Sequence, residues 1–203
     1  DSTAVYRGFD IGTDKLPVSA RQGIPHHLID IADPVDTYSA AQFSKEASNI
    51  VREIQARGKV PILVGGTGFY YRALTRGLFP GPGADEALRS RLMRIAIRYG
   101  DERLHRVLRR VDPESGNRIM PRDRLRLIRA LEVYFTTGES LTSHFSRTIS
   151  PIRGLRVVAF ALHLPPAVTA ERVARRVCQQ FDRGIVEEAR QLLVQGVPAS
   201  ARP

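Results

Sequence analysis

The sequence has 203 residues, 42% of them hydrophobic and 26% charged, enough chain and the right balance to bury a globular core. No apolar run nears the ~20 residues needed to cross a bilayer, and a single cysteine, Cys178, excludes an internal disulfide framework or a multi-cysteine zinc site. The net charge of +10 rests almost wholly on arginine, since the lysines are Lys15, Lys45 and Lys59. Such an excess favours a polyanionic partner such as RNA, unless the genome simply writes arginine wherever a cation is tolerated. A reducing, cytoplasmic setting without a membrane is expected.

The chain opens at Asp1, followed by Ser-Thr-Ala-Val-Tyr, and reads as the interior of a longer protein. The loop from Arg7 to Pro17 carries Gly8, Gly12, two aspartates and Lys15. His26-His27-Leu28-Ile29-Asp30-Ile31 predicts a short strand, closed by Asp33-Pro34. Ser39 with Gln42 forms a capping box, and Tyr38 can staple onto Phe43. Phe43, Ala47, Ile50 and Ile54 then recur at helical spacing up to Gly58. Val60 to Val64 is apolar and rich in β-branched residues, as in a strand covered on both faces. Gly65 and Gly66 let the chain turn, Phe69 to Leu74 begins a helix, and Thr67 sits at the carboxyl end of the strand. Ligands bind at that edge of open α/β sheets, although the same glycines suit a purely structural turn.

Beyond Pro80-Gly81-Pro82-Gly83 only helices are predicted, to about Phe145. Asp85 caps one with Leu88, Leu92, Ile95 and Tyr99 as its apolar stripe, ending at Gly100. A second carries Leu104, Val107, Leu108 and Val111 and stops at Asp112-Pro113. A third runs from about Arg122 to Phe135, with Leu127, Ile128, Leu131 and Tyr134 or Phe135 inward. The strand pattern returns in Leu155 to Leu164, and two helices follow, broken near Gly184. The expected fold is therefore an α/β core interrupted by a helical insertion: residues 1–80, then 81–150, then a return to the core over 151–203.

Arginine is concentrated in the insertion. Arg89, Arg91, Arg94 and Arg98 lie on one helix, Arg106, Arg109 and Arg110 on the next, and Arg122, Arg126 and Arg129 on one face of the third. Guanidinium forks suit phosphate contacts and stack on unpaired bases, although any single arginine can as well be part of a solvated face. Acid–base candidates are Asp1, Asp10, Asp30 and Asp33, all of types that also cap helices and form turns. His26 and His27 are adjacent and point to opposite faces of a strand, so they form no metal pair, and Cys178 is expected to be a buried small residue. The P-loop pattern GxxxxGK[ST] does not occur. From the residues alone the reading is an RNA-binding α/β protein, with enzymatic activity left open.

The succession of motifs resembles that of the tRNA dimethylallyltransferases, also called tRNA isopentenyltransferases. The segments that carry the resemblance are Asp1-Ser2 with Val5-Tyr6-Arg7-Gly8, Asp10-Ile11-Gly12-Thr13 with Lys15, and Pro25-His26-His27-Leu28-Ile29-Asp30. Tyr38-Ser39, Leu63-Val64-Gly65-Gly66-Thr67-Gly68, Val111-Asp112-Pro113 and Arg129-Ala130-Leu131-Glu132-Val133 continue it. Their order and spacing match the family to about Gly196.

The resemblance implies a P-loop-NTPase-like parallel sheet core, here incomplete, with an all-helical insertion that grips the anticodon arm of tRNA. It implies transfer of a dimethylallyl group from dimethylallyl pyrophosphate to N6 of the adenosine 3′ of the anticodon, with Mg²⁺ at the pyrophosphate and the target base drawn from its stack. Asp1 matches the family's general base, and Thr67 and Arg89, candidate catalytic residues as well, match positions where the family meets the substrate tRNA near the reacting centre. Asp1, Ser2, Thr3 and Ala4 match one RNA-contacting segment, and Leu125, Arg126, Leu127, Ile128 and Arg129 match another. No metal ligand is assigned, and a monomer is expected.

The family's P-loop and its arginine-rich C-terminal segment are not among the 203 residues, so the chain reads as an internal fragment, inactive alone. Met120 and Arg122 stand where a His and an Asn are common. Two other readings compete. One is an adenylate isopentenyltransferase acting on free AMP, ADP or ATP, which would need no long basic surface. The other is a non-catalytic RNA-binding module.

Overall fold

The computed structural model describes residues 2–79, 81–199 and 201. The chain divides into two compact units, Asp1–Thr75 with Ser150–Pro203, and Arg76–Ile149.

In the first unit, Ser39 starts helix α1 (Ala40–Ala56) through the expected capping box. The Gln42 N–H donates to Ser39 Oγ at 3.2 Å, and the Ser39 N–H donates to Gln42 Oε1 at 2.8 Å. Gly58, at φ +68°, closes the helix with its N–H on the Gln55 carbonyl. Helix α2 (Gly68–Thr75) packs on α1, where the Phe43 and Tyr70 rings stack at 4.4 Å and Ser44 Oγ donates to the Ala73 carbonyl at 2.9 Å. Tyr38 meets the Tyr70 ring at 6.4 Å, so Tyr70 gathers both residues of the expected staple. Burial, and after it the Glu46 carboxylate that accepts its hydroxyl, hold Tyr38 protonated well above the usual tyrosine range.

The expected sheet is not formed among the described residues. Its trace is one parallel bridge between Tyr6 and Ala32, with the Arg7 N–H on the Ala32 carbonyl and the Ile31 N–H on the Val5 carbonyl. The strand expected over His26–Ile31 is interrupted because Leu28 (φ +59°) and Asp30 (φ +56°) are left-handed. Val60–Val64 and Leu155–Leu164 have no ladder, and Val60, Ile62, Phe160 and Leu162 are more than 80% exposed. The physical reason is that parallel strands have no local partner: each needs a sequence-distant neighbour to complete its hydrogen bonds.

Pro165-Pro166 opens helix α3 (Pro166–Asp182), which leads through left-handed Gly184 to helix α4 (Ile185–Val194). Cys178, expected to be buried, is exposed on the first of these two helices.

The second unit is wholly helical among its described residues. Asp85 caps helix α5 (Glu86–Tyr99) by accepting the Leu88 N–H at 2.9 Å. Helix α6 (Asp101–Val111) follows at once, and Pro113 at the first position opens the short helix α7 (Pro113–Arg118). Asp123 caps helix α8 (Arg124–Thr137), which ends at left-handed Gly138, and α9 (Leu141–Ser146) follows.

Leu92, Ala96, Leu104, Leu108, Leu127 and Leu131 interlock where α5, α6 and α8 pack together. A fully buried leucine contributes about 1.5–3 kcal/mol relative to exposure, so this layer carries the unit. Asp112, only 2% exposed, pins the end of α6 to α9. Its carboxylate accepts the Ser115 N–H (3.0 Å), the Thr142 N–H (3.0 Å) and the Thr142 hydroxyl (2.7 Å). Burial pushes this carboxyl up, but those donors outweigh it and hold it below the usual aspartate range.

Candidate functional site

In the first unit the site residues expected from sequence begin with Asp1, which lies outside the described residues. Its neighbour Ser2 is placed by Thr67, 65 residues away: the Ser2 N–H donates to Thr67 Oγ1 at 3.1 Å, and the two hydroxyls are 3.0 Å apart. The opening segment is thus brought to the glycine turn. The Thr3 carbonyl accepts the Tyr6 N–H, and the Ala4 carbonyl accepts the Asp30 N–H at 3.1 Å, tying the same segment to the 30–32 stretch.

The other acid–base candidates are held in ion pairs. Lys15 is buried to 9% exposure, and its ammonium reaches the Tyr6 carbonyl (2.5 Å), Asp10 (2.8 Å) and Asp30 (2.5 Å). Three acceptors for three N–H donors leave a fully used ammonium clamping the Arg7–Pro17 loop. Asp33 pairs with Arg7 at 2.8 Å. These aspartates serve structure in this arrangement.

Glu188 was not singled out by sequence. Its carboxylate, on α4, accepts the backbone N–H groups of Asp10 (2.8 Å), Ile11 (2.6 Å) and Gly12 (3.0 Å). Successive amides converging on one anion form a nest. Gln180 adds Nε2 contacts to the Ile11 and Gly12 carbonyls, and Arg183 pairs with Asp14 at 2.8 Å. Gly12 fits because a Cβ there would already touch Glu188 Oε1 at 3.4 Å. The helix pair α3–α4 therefore fixes the loop at residues 10–14.

In the second unit, Arg89 on α5 and Arg129 on α8 converge on Glu132, which is 0% exposed. Arg89 donates through Nε to Oε1 (2.8 Å) and through Nη2 to Oε2 (3.1 Å). Arg129 Nη1 donates to Oε2 at 2.6 Å, and the Asp85 N–H donates to Oε1 at 2.7 Å. Arg129 also reaches the Pro82 carbonyl at 3.1 Å and lies over the Phe79 ring at 5.7 Å. Burial alone would raise the Glu132 pKa; the hydrogen bonds from Arg89, Arg129 and Asp85 overcome it and hold the group ionised below the usual range. The Glu132 bonds in turn raise the Arg89 pKa.

The remainder of the Leu125–Arg129 segment divides by burial. Leu127 and Ile128 are in the core, whereas Leu125 is 77% exposed and Arg126 turns back to its capping Asp123 at 2.6 Å. Arg122, expected on the same helix face as Arg126 and Arg129, precedes the helix because Asp123 is the cap. Arg124, passed over in the sequence, pairs with Asp101 at 2.6 Å. Arg91, Arg94 and Arg98 on α5 and Arg106, Arg109 and Arg110 on α6 are exposed, and among the described residues none of the six forms an ion pair. Spacings of three and four gather each trio on one face. Such open guanidinium rows suit a phosphate backbone. Among the described residues no three His, Cys, Asp or Glu side chains gather to hold a metal ion.

A family model described as IPP transferase matches residues 4–202. The chain belongs to the IPP transferase family. Two relatives within it are named tRNA dimethylallyltransferase. That of Solibacter usitatus is 45% identical over 204 residues, covering 100% of this chain and 66% of the relative. That of Thermomicrobium roseum is 47% identical over 203 residues, covering 99% and 60%. The chain thus spans less than two thirds of the length of these curated relatives.

Among solved structures, a full-length tRNA isopentenylpyrophosphate transferase of Bacillus halodurans superposes with a TM-score of 0.62 at 37% identity, over 98% of this chain and 61% of that one. A eukaryotic dimethylallyltransferase, captured in crystallographic snapshots acting on tRNA, superposes with a TM-score of 0.71 at 28% identity, over 96% and 48%. The family expected from the motifs is the one found. No helix among the described residues is long and apolar enough to cross a membrane.

Proposed function

We propose that the whole protein transfers a dimethylallyl group from dimethylallyl pyrophosphate to N6 of the adenosine immediately 3′ of the anticodon in tRNA. The observation that carries this is the family match over residues 4–202, together with relatives at 45% and 47% identity named for the tRNA reaction. The open arginine rows of α5 and α6 support an RNA substrate over a free nucleotide, which would need no such surface.

In the reaction the adenine N6 forms a bond to C1 of the allyl group as the C1–O bond breaks and pyrophosphate leaves. Asp1 takes the amine proton, help typically worth about 10²–10⁴ in rate. Thr67 holds the Ser2 end of the segment that carries Asp1. Arg89 meets the substrate RNA near the reacting centre, its guanidinium being suited to phosphate. Ser2, Thr3, Ala4, Leu125, Arg126 and Arg129 contact the RNA, and the core residues Leu127 and Ile128 set the helix from which the last three project.

The helical unit serves as the grip on the anticodon arm. The exposed runs 60–64 and 155–164 pair in the whole protein into the P-loop-NTPase-like parallel sheet. Their apolar exposure supports this, because so much bare β-branched surface calls for cover. Magnesium keeps much of its water and binds through one or two carboxylates and phosphate oxygens, so it would arrive with the pyrophosphate and supply charge there. The described residues form no cage for it. The protein is proposed to act as a cytoplasmic monomer.

Mass spectrometry of an anticodon stem-loop after incubation with the whole protein and dimethylallyl pyrophosphate tests the reading. One added C5H8 on that adenosine is expected, and none when guanosine replaces it. Prenylation elsewhere, or none at all, would overturn it.

A further inference from the structure

We propose that Glu132 is a positioning residue whose buried carboxylate presets Arg89 and Arg129 as a two-guanidinium receptor for one backbone phosphate of the RNA. This deepens the tRNA reading and rests on it. Glu132 is 0% exposed and cannot meet RNA itself. Its two oxygens nevertheless organise both arginines, with Arg89 Nη2 (3.1 Å) and Arg129 Nη1 (2.6 Å) sharing Oε2.

The arginines keep donors for a ligand. Arg89 uses Nε and Nη2 on Glu132, and its Nη1 has only the solvated Glu86 carboxylate at 3.6 Å. Arg129 uses one N–H of each terminal nitrogen, on Glu132 and on the Pro82 carbonyl. A guanidinium has five N–H donors, so both retain free ones. Their side chains are 37% and 33% exposed, so solvent reaches both. The two cations share one buried anion, and the second carboxylate beside them, Glu86, is 79% exposed and can turn away into water.

Order is the gain. A free arginine loses rotamer freedom when it binds phosphate, whereas these two have lost it on folding. The unpaired arginines of α5 and α6 supply general attraction; this pair supplies a contact fixed in place. The contacts also link α5 to α8, since the Asp85 N–H, at the cap of α5, ends on the same carboxylate.

The test is binding of a fluorescent anticodon stem-loop by the whole protein, as wild type, Glu132→Gln, Arg89→Ala/Arg129→Ala, and the triple variant. The inference predicts that Glu132→Gln weakens binding on the order of tenfold and makes it less dependent on salt. In the background lacking both arginines, the same change should cost nothing further. A general structural defect would weaken binding in both backgrounds. If Glu132→Gln does not fold, Glu132→Asp keeps the charge but is one methylene short of bridging both arginines, and the same loss is expected. Unchanged binding by a folded variant, or equal losses in both backgrounds, would overturn the inference alone. Failure of the wild type to bind the stem-loop would overturn it together with the tRNA reading.

Discussion

Arg89 and Glu132 are 43 residues apart in sequence and meet fork to fork, Nε on Oε1 at 2.8 Å and Nη2 on Oε2 at 3.1 Å. Breaking a buried ion pair by removing one partner costs ~3–5 kcal/mol, because the remaining charge loses its counterion. The arginines here are one-third exposed and can hydrate, so Glu132→Ala should cost about 3 kcal/mol, the low end. Urea denaturation checks this. A loss below the ~1 kcal/mol of an ordinary surface pair would mean that the cluster is dispensable.

Acid should act on the helical unit through two carboxylates. Asp112 and Glu132 both have folded pKa values below their ordinary ones. Their stabilisation is therefore complete above the ordinary carboxylate range, near ~4, and is lost as pH falls through the lowered folded values. Melting temperature should fall steeply below about pH 4. In Asp112→Asn it should be lower at pH 7 but show a shallower acid limb; an unchanged slope would contradict the assignment.

The helical unit was legible because its signals are local. Asp85, Gly100 and Asp112-Pro113 mark helix ends, and the leucine spacing of α5, α6 and α8 names the core. The sheet was not obtained, because Val60–Val64 shows only that a strand is wanted, whereas its pairing depends on residues far away. Side chains that work across long separations were equally hidden. Glu188 lies 176 to 178 residues from the amides it caps, and nothing in its helical surroundings distinguishes it from the solvated Glu187. Glu132 was visible as part of a motif, but its zero exposure follows only from the packing of α5 on α8.

Thr67 should matter through its hydroxyl. Thr67→Ser keeps the oxygen that accepts the Ser2 N–H and should retain most transfer activity. Thr67→Val keeps the shape and removes the acceptor, with a stability cost of about 1 kcal/mol and a far larger loss of transfer rate. Parallel denaturation and transfer assays separate the two. Equal activity in Ser and Val variants would show that the hydroxyl is not needed.

Glu188 should govern the loop at 10–12. Glu188→Ala strips three backbone N–H groups of their acceptor, and their amide exchange should accelerate by ~10–100-fold, the equivalent of about 1–3 kcal/mol. Exchange at Leu104 and Leu108, in the core of the other unit, should not change. Uniform acceleration across the chain would instead indicate global destabilisation.

Labelled dimethylallyl transfer by the whole protein, offered an anticodon stem-loop and free AMP together, tests the functional reading most directly, with Asp1→Ala run in parallel. Label on the stem-loop alone, reduced at least ~10²-fold in Asp1→Ala, is the predicted result. Label on AMP, or full activity in Asp1→Ala, would contradict it.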